Sequence, residues 1–331
     1  MAITTNQAIL TLDYWKRAEH LEIGDWVFDQ NGKPVQVKLV HKFFSEDCYE
    51  VMFDDYLTVR GDADLAFHVE NEKYRKQLLK YKQVKSQFKR PLKFLSVSNI
   101  LDTGVIGRRG RKEFSIPTTK PLQFPAQTPG IPPFVFGFWY FNRKAHKKFS
   151  IHESNKDFVI EKFKNAGYHL EFSSYVRGGY HKFFEKPNIE FQLAPNIPTK
   201  IPTNYLLASE SERIELLSGI VNAKPRQYNR ETDWFRITTQ DFPTIQQIQG
   251  LAESLGLRTK VFHNEILNNY SIKFKSKHKL VYNQVSKPVK VHYARRYIKE
   301  ITKIQPQMVI YIETTGKDNS ILVGEGYIST C

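Results

Sequence analysis

Two stretches decide the fold: Pro133-Phe-Val-Phe-Gly-Phe-Trp-Tyr-Phe-Asn142 and Arg213-Ile-Glu-Leu-Leu-Ser-Gly-Ile-Val-Asn-Ala-Lys224. Taken alone, one reading of each is an ordinary amphipathic helix with a polar end, but the segments after the two are alike. After the first come Phe149-Ser-Ile-His152, a helix over Asn155 to Ala166 ended by Gly167, then Tyr168-His-Leu-Glu-Phe-Ser-Ser-Tyr-Val176 and a basic strand near Gly179-Tyr-His-Lys-Phe-Phe184. After the second come Trp234-Phe-Arg-Ile-Thr-Thr239, a helix over Thr244 to Leu255 ended by Gly256, then Leu257-Arg-Thr-Lys-Val-Phe262 and Asn269-Tyr-Ser-Ile-Lys-Phe-Lys275. Helix signals with a C-terminal glycine, flanked by alternating strands, recur in the same order. The pattern predicts an internal repeat of helix, two strands, helix, two strands. Pro195-Asn-Ile-Pro-Thr-Lys-Ile-Pro202 joins the halves, its prolines suiting an extended linker.

The two quoted helices resemble the LAGLIDADG motif of homing endonucleases, which ends in Gly-Asp-Gly or Thr-Asp-Gly. The acid's place holds Asn142 in one copy and Lys224 in the other. The resemblance implies a saddle of two pseudo-symmetric halves whose antiparallel sheets lie along the major groove of DNA. In the family, one acid from each of two parallel helices holds divalent metal at the scissile phosphate, because hard cations need anionic oxygen ligands. Asn142 is a neutral and weaker ligand, and Lys224 puts an ammonium where a cation should bind. Both positions are therefore expected to be vestigial, with no metal, no other cofactor and no cleavage. A two-stranded ribbon fits the major groove, where alternating Arg and Lys side chains meet base edges or phosphates. The candidates for that role are Arg143, Lys144, Arg177, Lys182, Arg226, Arg230, Arg236, Arg258, Lys260, Lys273 and Lys275.

The flanks resemble the Hint fold of inteins, which splits into an N-terminal and a C-terminal piece around the endonuclease. Ile9-Leu-Thr-Leu-Asp-Tyr-Trp-Lys-Arg17, Leu21-Glu-Ile-Gly-Asp-Trp-Val-Phe28 and Asn31-Gly-Lys-Pro-Val-Gln-Val37 read like the opening of a splicing domain. Asn31-Gly32 is a hairpin signal in its own right. Tyr49-Glu-Val-Met-Phe-Asp-Asp55 continues the pattern, with Tyr56 where a turn glycine is expected. Glu113-Phe-Ser-Ile-Pro-Thr-Thr-Lys-Pro-Leu122 is similar to the lead into the endonuclease, and Val309-Ile-Tyr-Ile-Glu313 and Leu322 to Cys331 look like the closing blocks. The implied fold class is α+β: a mostly-β Hint-like domain assembled from both chain ends, with an inserted pseudo-symmetric LAGLIDADG αββαββ repeat. Residues 1–124 and 286–331 would form the first, and 125–200 and 201–285 the two repeats.

Splicing is expected to be disabled too. The chain begins Met1-Ala2-Ile3 where such inteins start with Cys or Ser. Leu65 takes the place of the histidine that polarises the scissile amide, and His68, three residues late, reads as a strand or turn residue. The chain ends Ser329-Thr330-Cys331, without the terminal His-Asn pair whose Asn cyclises.

Lys plus Arg number 49 against 34 acids, a net charge of +15, which favours a polyanionic partner over a small metabolite. The charge is clustered. Glu72 to Lys93 interleaves basic residues, Arg75 and Lys76 among them, with Tyr74, Tyr81 and Phe88. Further clusters are Arg108-Arg109 with Arg111-Lys112, Arg143-Lys144 with Lys147-Lys148, Lys273 to Lys279, and Arg295-Arg296, several expected on or beside the DNA-facing strands. Hydrophobic and aromatic fractions of 40% and 14% indicate a folded chain, and Cys48 and Cys331 are too few for a disulfide framework or a zinc site. Without a signal peptide or an apolar run of transmembrane length, the expected location is the cytoplasm, the host's if the product is phage-encoded. These readings converge on a catalytically inactive, DNA-binding descendant of an intein endonuclease. Its partners would be double-stranded DNA and a protein of phage DNA metabolism. One alternative is an active endonuclease using acids such as Glu153, Glu161, Glu231 or Asp233. Another is a protein-interaction module whose basic surface docks on an acidic partner.

Overall fold

Gly137 and Gly219 let two helices, Pro133–Phe141 and Glu210–Asn222, touch backbone to backbone. A β-carbon at Gly137 would strike the Leu216 carbonyl oxygen, and one at Gly219 the Phe134 carbonyl oxygen. Only glycine fits at this distance of approach. The first helix opens on Pro133, whose missing N–H has no partner to lose in a first turn. The second opens on a reciprocal capping box, Glu212 N donating to Ser209 Oγ and Ser209 N to the Glu212 carboxylate at 2.9 Å. The alternative of an ordinary amphipathic first helix is not met: every residue from Phe134 to Phe141 is buried, so the helix is apolar all round and enclosed. Its Tyr140 hydroxyl donates to the Thr199 carbonyl at 3.2 Å, and Phe136 stacks on Tyr205 with centroids 4.1 Å apart.

The computed structural model describes residues 2–76, 93–107, 110–142, 148–176, 179–185, 198–224, 227–284, 294–324 and 326–331. It is α+β with strands predominating, and it divides into two units, Met1–Gln123 with Lys290–Cys331, and Phe124–Val289. Among the described residues no helix is long and apolar enough to cross a membrane.

In the second unit each contact helix leads into an antiparallel sheet. The first sheet orders Lys148–His152, Tyr180–Glu185 and Leu170–Val176, backed by helix Lys156–Asn165, after which Gly167 takes φ +84°. The other orders Tyr228–Asn229, Trp234–Thr239, Asn269–Phe274 and Thr259–Asn264. Helix Phe242–Ser254 backs it, with Asp241 capping by accepting from Thr244 N at 3.1 Å and Gly256 following at φ +73°. Between its two helices the second half has two strands. The first half has one among the described residues, with 143–147 outside them. Strand alternation sends Phe235, Ile237, Ile272 and Phe274 into one core shared with both contact helices. Trp234, Arg236, Lys273 and Lys260 are left on the opposite face.

In the first unit a ten-stranded sheet runs Trp26–Phe28, Pro34–Ser45, Gln307–Thr314, Ala2–Thr4, Thr58–Asp62, Cys48–Phe53, Arg295–Ile304, Phe114–Pro117, Ala66–Asn71 and Lys93–Ser96. The two ends of the chain pair here, Ile3 opposite Ile310 and, in a smaller sheet, Ile9 opposite Val323. The Asn31-Gly32 hairpin forms, with Gly32 at φ +72° and Asp29 Oδ1 accepting from Asn31 N and Lys33 N at 2.8 Å. Tyr56 adopts the left-handed φ of +66° that a turn glycine would take.

The basic clusters of this unit need correction. Arg295 is buried in an ion pair with Glu70, and Arg296 Nε meets Asp55 at 2.8 Å, also buried. The Arg75 guanidinium donates to the Glu70 and Lys112 carbonyls at 2.6 Å and to that of Glu113 at 2.8 Å. Lys76 and Arg111 both pair with Glu72. Arg295 and Arg296 are thus held by internal acceptors, which a burial penalty enforces, whereas Lys76 and Arg111 pair with Glu72 at the exposed surface. The remaining basic residues of 77–92, with Arg108 and Arg109, lie outside the described residues.

Gly219→Ala is expected to lower unfolding stability by about 1–3 kcal/mol, the usual cost of overpacking, despite alanine's better helix propensity. Gly130→Ala, where nothing lies within 4 Å, is the control and stays within about 0.5 kcal/mol. Urea titrations in which Gly219→Ala matches or exceeds the parent midpoint would show that the helices do not meet at these glycines.

Candidate nucleic-acid interface

Asn142 follows Gly137 by five residues and Lys224 follows Gly219 by five, so the close crossing brings the two helix ends together. Asn142 is 8% exposed, and its amide is fully engaged. Nδ2 donates to the Ser150 carbonyl at 2.9 Å and to the Ala223 carbonyl at 3.0 Å, while Oδ1 accepts from Ser150 N at 3.2 Å. One side chain thus ties the end of the first helix to the strand after it and to the end of the second helix. Asn155 adds a parallel tie, donating to the Asn222 carbonyl at 3.0 Å. Lys224 is exposed, with its Nζ 5.0 Å from the centroid of the Phe141 ring. The resemblance implies divalent metal between these two positions, and the donors present do not fit it. The Asn142 amide is turned inward onto backbone groups, and Lys224 supplies a cation. Among the described residues, no three His, Cys, Asp or Glu side chains gather where a metal could be held.

The second sheet collects the cations. Register places Arg236 opposite Lys273 and Lys273 opposite Lys260, a row of three positive charges across three strands on the face away from the helices. Like charges directly opposite one another in an antiparallel sheet repel. Arg236 Nη2 donates to Ser271 Oγ at 3.2 Å, and Lys273 Nζ lies 5.2 Å from the Phe262 ring centroid. Lys275 Nζ donates to the Thr232 carbonyl at 2.8 Å and sits 5.4 Å from the Trp234 ring. Arg230 is exposed at the turn of the first hairpin, and Arg258 is half-buried just before the edge strand.

On the first sheet Lys182 is exposed between Ser150 and Ser174 in its cross-strand row. Arg143, Lys144, Arg177 and Arg226 lie outside the described residues. Two of the acids named for an alternative nuclease are engaged. Glu153 is ion-paired with Lys156 at 3.2 Å and with His181, and the Lys156 hydrogen bond, chief among these, holds its carboxyl below the usual range. Asp233 is buried at a positive-φ turn position and accepts from the Tyr228 hydroxyl at 3.0 Å. Glu161 and Glu231 are exposed on separate elements.

In the first unit Leu65 is wholly buried in the apolar core. His68 stands on strand Ala66–Asn71, as one of its two expected settings has it, and its Nδ1 is 2.9 Å from Cys331 Sγ. Burial, with Asp318 adding to it, pushes the Cys331 thiol up to about 12, and burial lowers the His68 imidazole. The thiol is therefore neutral at physiological pH. No spacing or motif in the chain signals this pair, which lies 263 residues apart.

No family model matches the chain, and no curated protein does. Solved structures similar to parts of it are of two kinds. The MchDnaB-1 intein matches at 24% identity over 21% of this chain and 54% of its own, with a TM-score of 0.20. The gp41-1 intein matches at 12% identity over 34% of this chain and 73% of its own, TM-score 0.22. Mesophilic variants of the homing endonuclease I-DmoI match at 11% identity over 45% of this chain and 89% of theirs, TM-score 0.31. The chain spans about half the length of the DnaB intein structures it matches. It is thus similar, over parts of its length, to inteins and to a LAGLIDADG homing endonuclease.

Asn142→Asp replaces two donated hydrogen bonds by a carboxylate facing two carbonyl oxygens, and is expected to cost about 2–4 kcal/mol at neutral pH. Those carbonyls raise the folded-state pKa above the unfolded value of about 3.9, so the native state binds more protons and stability falls as pH rises. Denaturant unfolding of parent and variant should differ more at pH 7.5 than at pH 5. An equal difference at both would mean that the amide does not bridge the helix ends.

Proposed function

We propose that the unit Phe124–Val289 binds duplex DNA without cutting it, and that the chain descends from an intein carrying a LAGLIDADG endonuclease. On this reading residues 125–200 and 201–285 are the two αββαββ repeats, and 1–124 with 286–331 a Hint-like domain that no longer splices. The observation that carries the binding is the row Arg236, Lys273 and Lys260. Among the described residues none of the three is in an ion pair, so their mutual repulsion is relieved best by a polyanion lying across the strands. Loss of cutting is supported by the engaged amide of Asn142 and the ammonium of Lys224, neither of which can replace a metal-holding carboxylate. The internal engagement of Glu153 and Asp233 weighs against a nuclease with substitute acids. The proposed setting is DNA metabolism in the cytoplasm, a phage's in its host, and the resemblance to mobile intein endonucleases is its support.

Each phosphate neutralised by a cation releases condensed counterion, so affinity for duplex should fall with salt at about 0.9 log units per log unit for each contact. Arg236→Gln, Lys260→Gln and Lys273→Gln should each reduce that slope by about 0.9, whereas Lys42→Gln in the other unit leaves it unchanged. Titrations at several salt concentrations read this directly, and a salt-insensitive or undetectable interaction would remove the DNA reading in favour of an acidic protein partner. Supercoiled plasmid should stay intact with magnesium or manganese. Nicking abolished by Glu161→Gln or Glu231→Gln would restore the nuclease alternative.

A further inference from the structure

The face that carries the cationic row also carries two aromatic rings, and a duplex has little use for them. Phe262 is 46% exposed and stands opposite Ser271, two residues beyond Lys260. Trp234 is half-buried, two residues before Arg236 and on the other side of the row. With about 3.4 Å per residue along a strand and about 4.8 Å between strands, the rings lie roughly 17 Å apart on a diagonal that crosses the cations. Each ring is overhung by an ammonium group, Lys273 on Phe262 and Lys275 on Trp234.

A stacked duplex shows only base edges in its grooves, which Arg, Asn and Gln read and a ring face does not. An unpaired base has a free face, and aromatic side chains set among cations are the platform on which such bases stack. We propose that the outer face of this four-stranded sheet holds a stretch of single-stranded DNA, with bases stacking on Trp234 and Phe262 while Lys260, Lys273 and Lys275 meet the phosphates. The ammonium groups over the rings occupy the seats that the bases take, and move outward to phosphate when a strand is bound. This rests on the reading of the unit as a DNA binder and adds the kind of strand it prefers.

The test uses the full chain, a labelled oligo(dT), a duplex and oligo(U), each followed by anisotropy and by tryptophan emission. Oligo(dT) is expected to bind at least as tightly as the duplex and to quench emission. Trp234→Phe keeps a stacking ring, so it should retain binding and lose most of the quenching among the four tryptophans. Phe262→Ala should weaken oligo(dT) binding about tenfold and leave duplex binding within about twofold, and Phe262→Tyr should restore it. Circular dichroism of each variant checks that the sheet is intact. Equal loss on both DNA forms, no loss on either, or oligo(U) bound more tightly than oligo(dT) would each overturn the proposal. Duplex binding without oligo(dT) binding would sink this inference alone. Absence of binding to every nucleic acid would sink the duplex reading with it.

Discussion

Everything in the unit Phe124–Val289 depends on how closely two helices can approach. At Gly137 and Gly219 a β-carbon would strike the facing backbone, so these glycines permit the approach. The contact sets the two helices side by side, and each then leads into its own sheet. Asn142 and Lys224 are neighbours for this reason alone, since 82 residues of sequence separate them. The aromatic wall of the first helix, Phe134 through Phe141, closes the core around the crossing and leaves it no polar face.

That geometry also accounts for the chemistry of the crossing. Two carbonyl oxygens, of Ser150 and Ala223, point at position 142, and an amide answers both with its two N–H groups. A carboxylate there would need a metal or a proton to offset them, and the adjoining Lys224 discourages the metal. Asn142 is therefore a hydrogen-bonded clasp, which stabilises the crossing that the glycines permit. The charge of the unit gathers instead on the outer face of the second sheet, where Arg236, Lys273 and Lys260 are aligned by strand register.

The sequence makes some of this legible and hides the rest for identifiable reasons. Gly167 and Gly256 mark the helix ends, and Asn31-Gly32 the hairpin, because left-handed backbone leaves a residue signature. A helix start at Arg213 falls three residues late, although Ser209-x-x-Glu212 is a capping-box signal that places it correctly. Alternation shows which face Arg236 and Lys273 share, but their row with Lys260 exists only once register is fixed. Trp234 and Phe262 alternate with those cations and are visible in the same way. Arg295 and Arg296 read as a surface cluster because the acids that bury them, Glu70 and Asp55, are more than 200 residues distant in sequence. Nothing in a linear pattern could show that the Asn142 amide is engaged on every side.

Footprinting lysine reactivity with an acetylating reagent, with and without excess DNA at low salt, shows which face of the protein meets DNA. DNA is expected to protect Lys260, Lys273 and Lys275 while Lys42 and Lys303 of the other unit stay reactive. Protection spread evenly over both units, or confined to Lys42 and Lys303, would contradict this expectation.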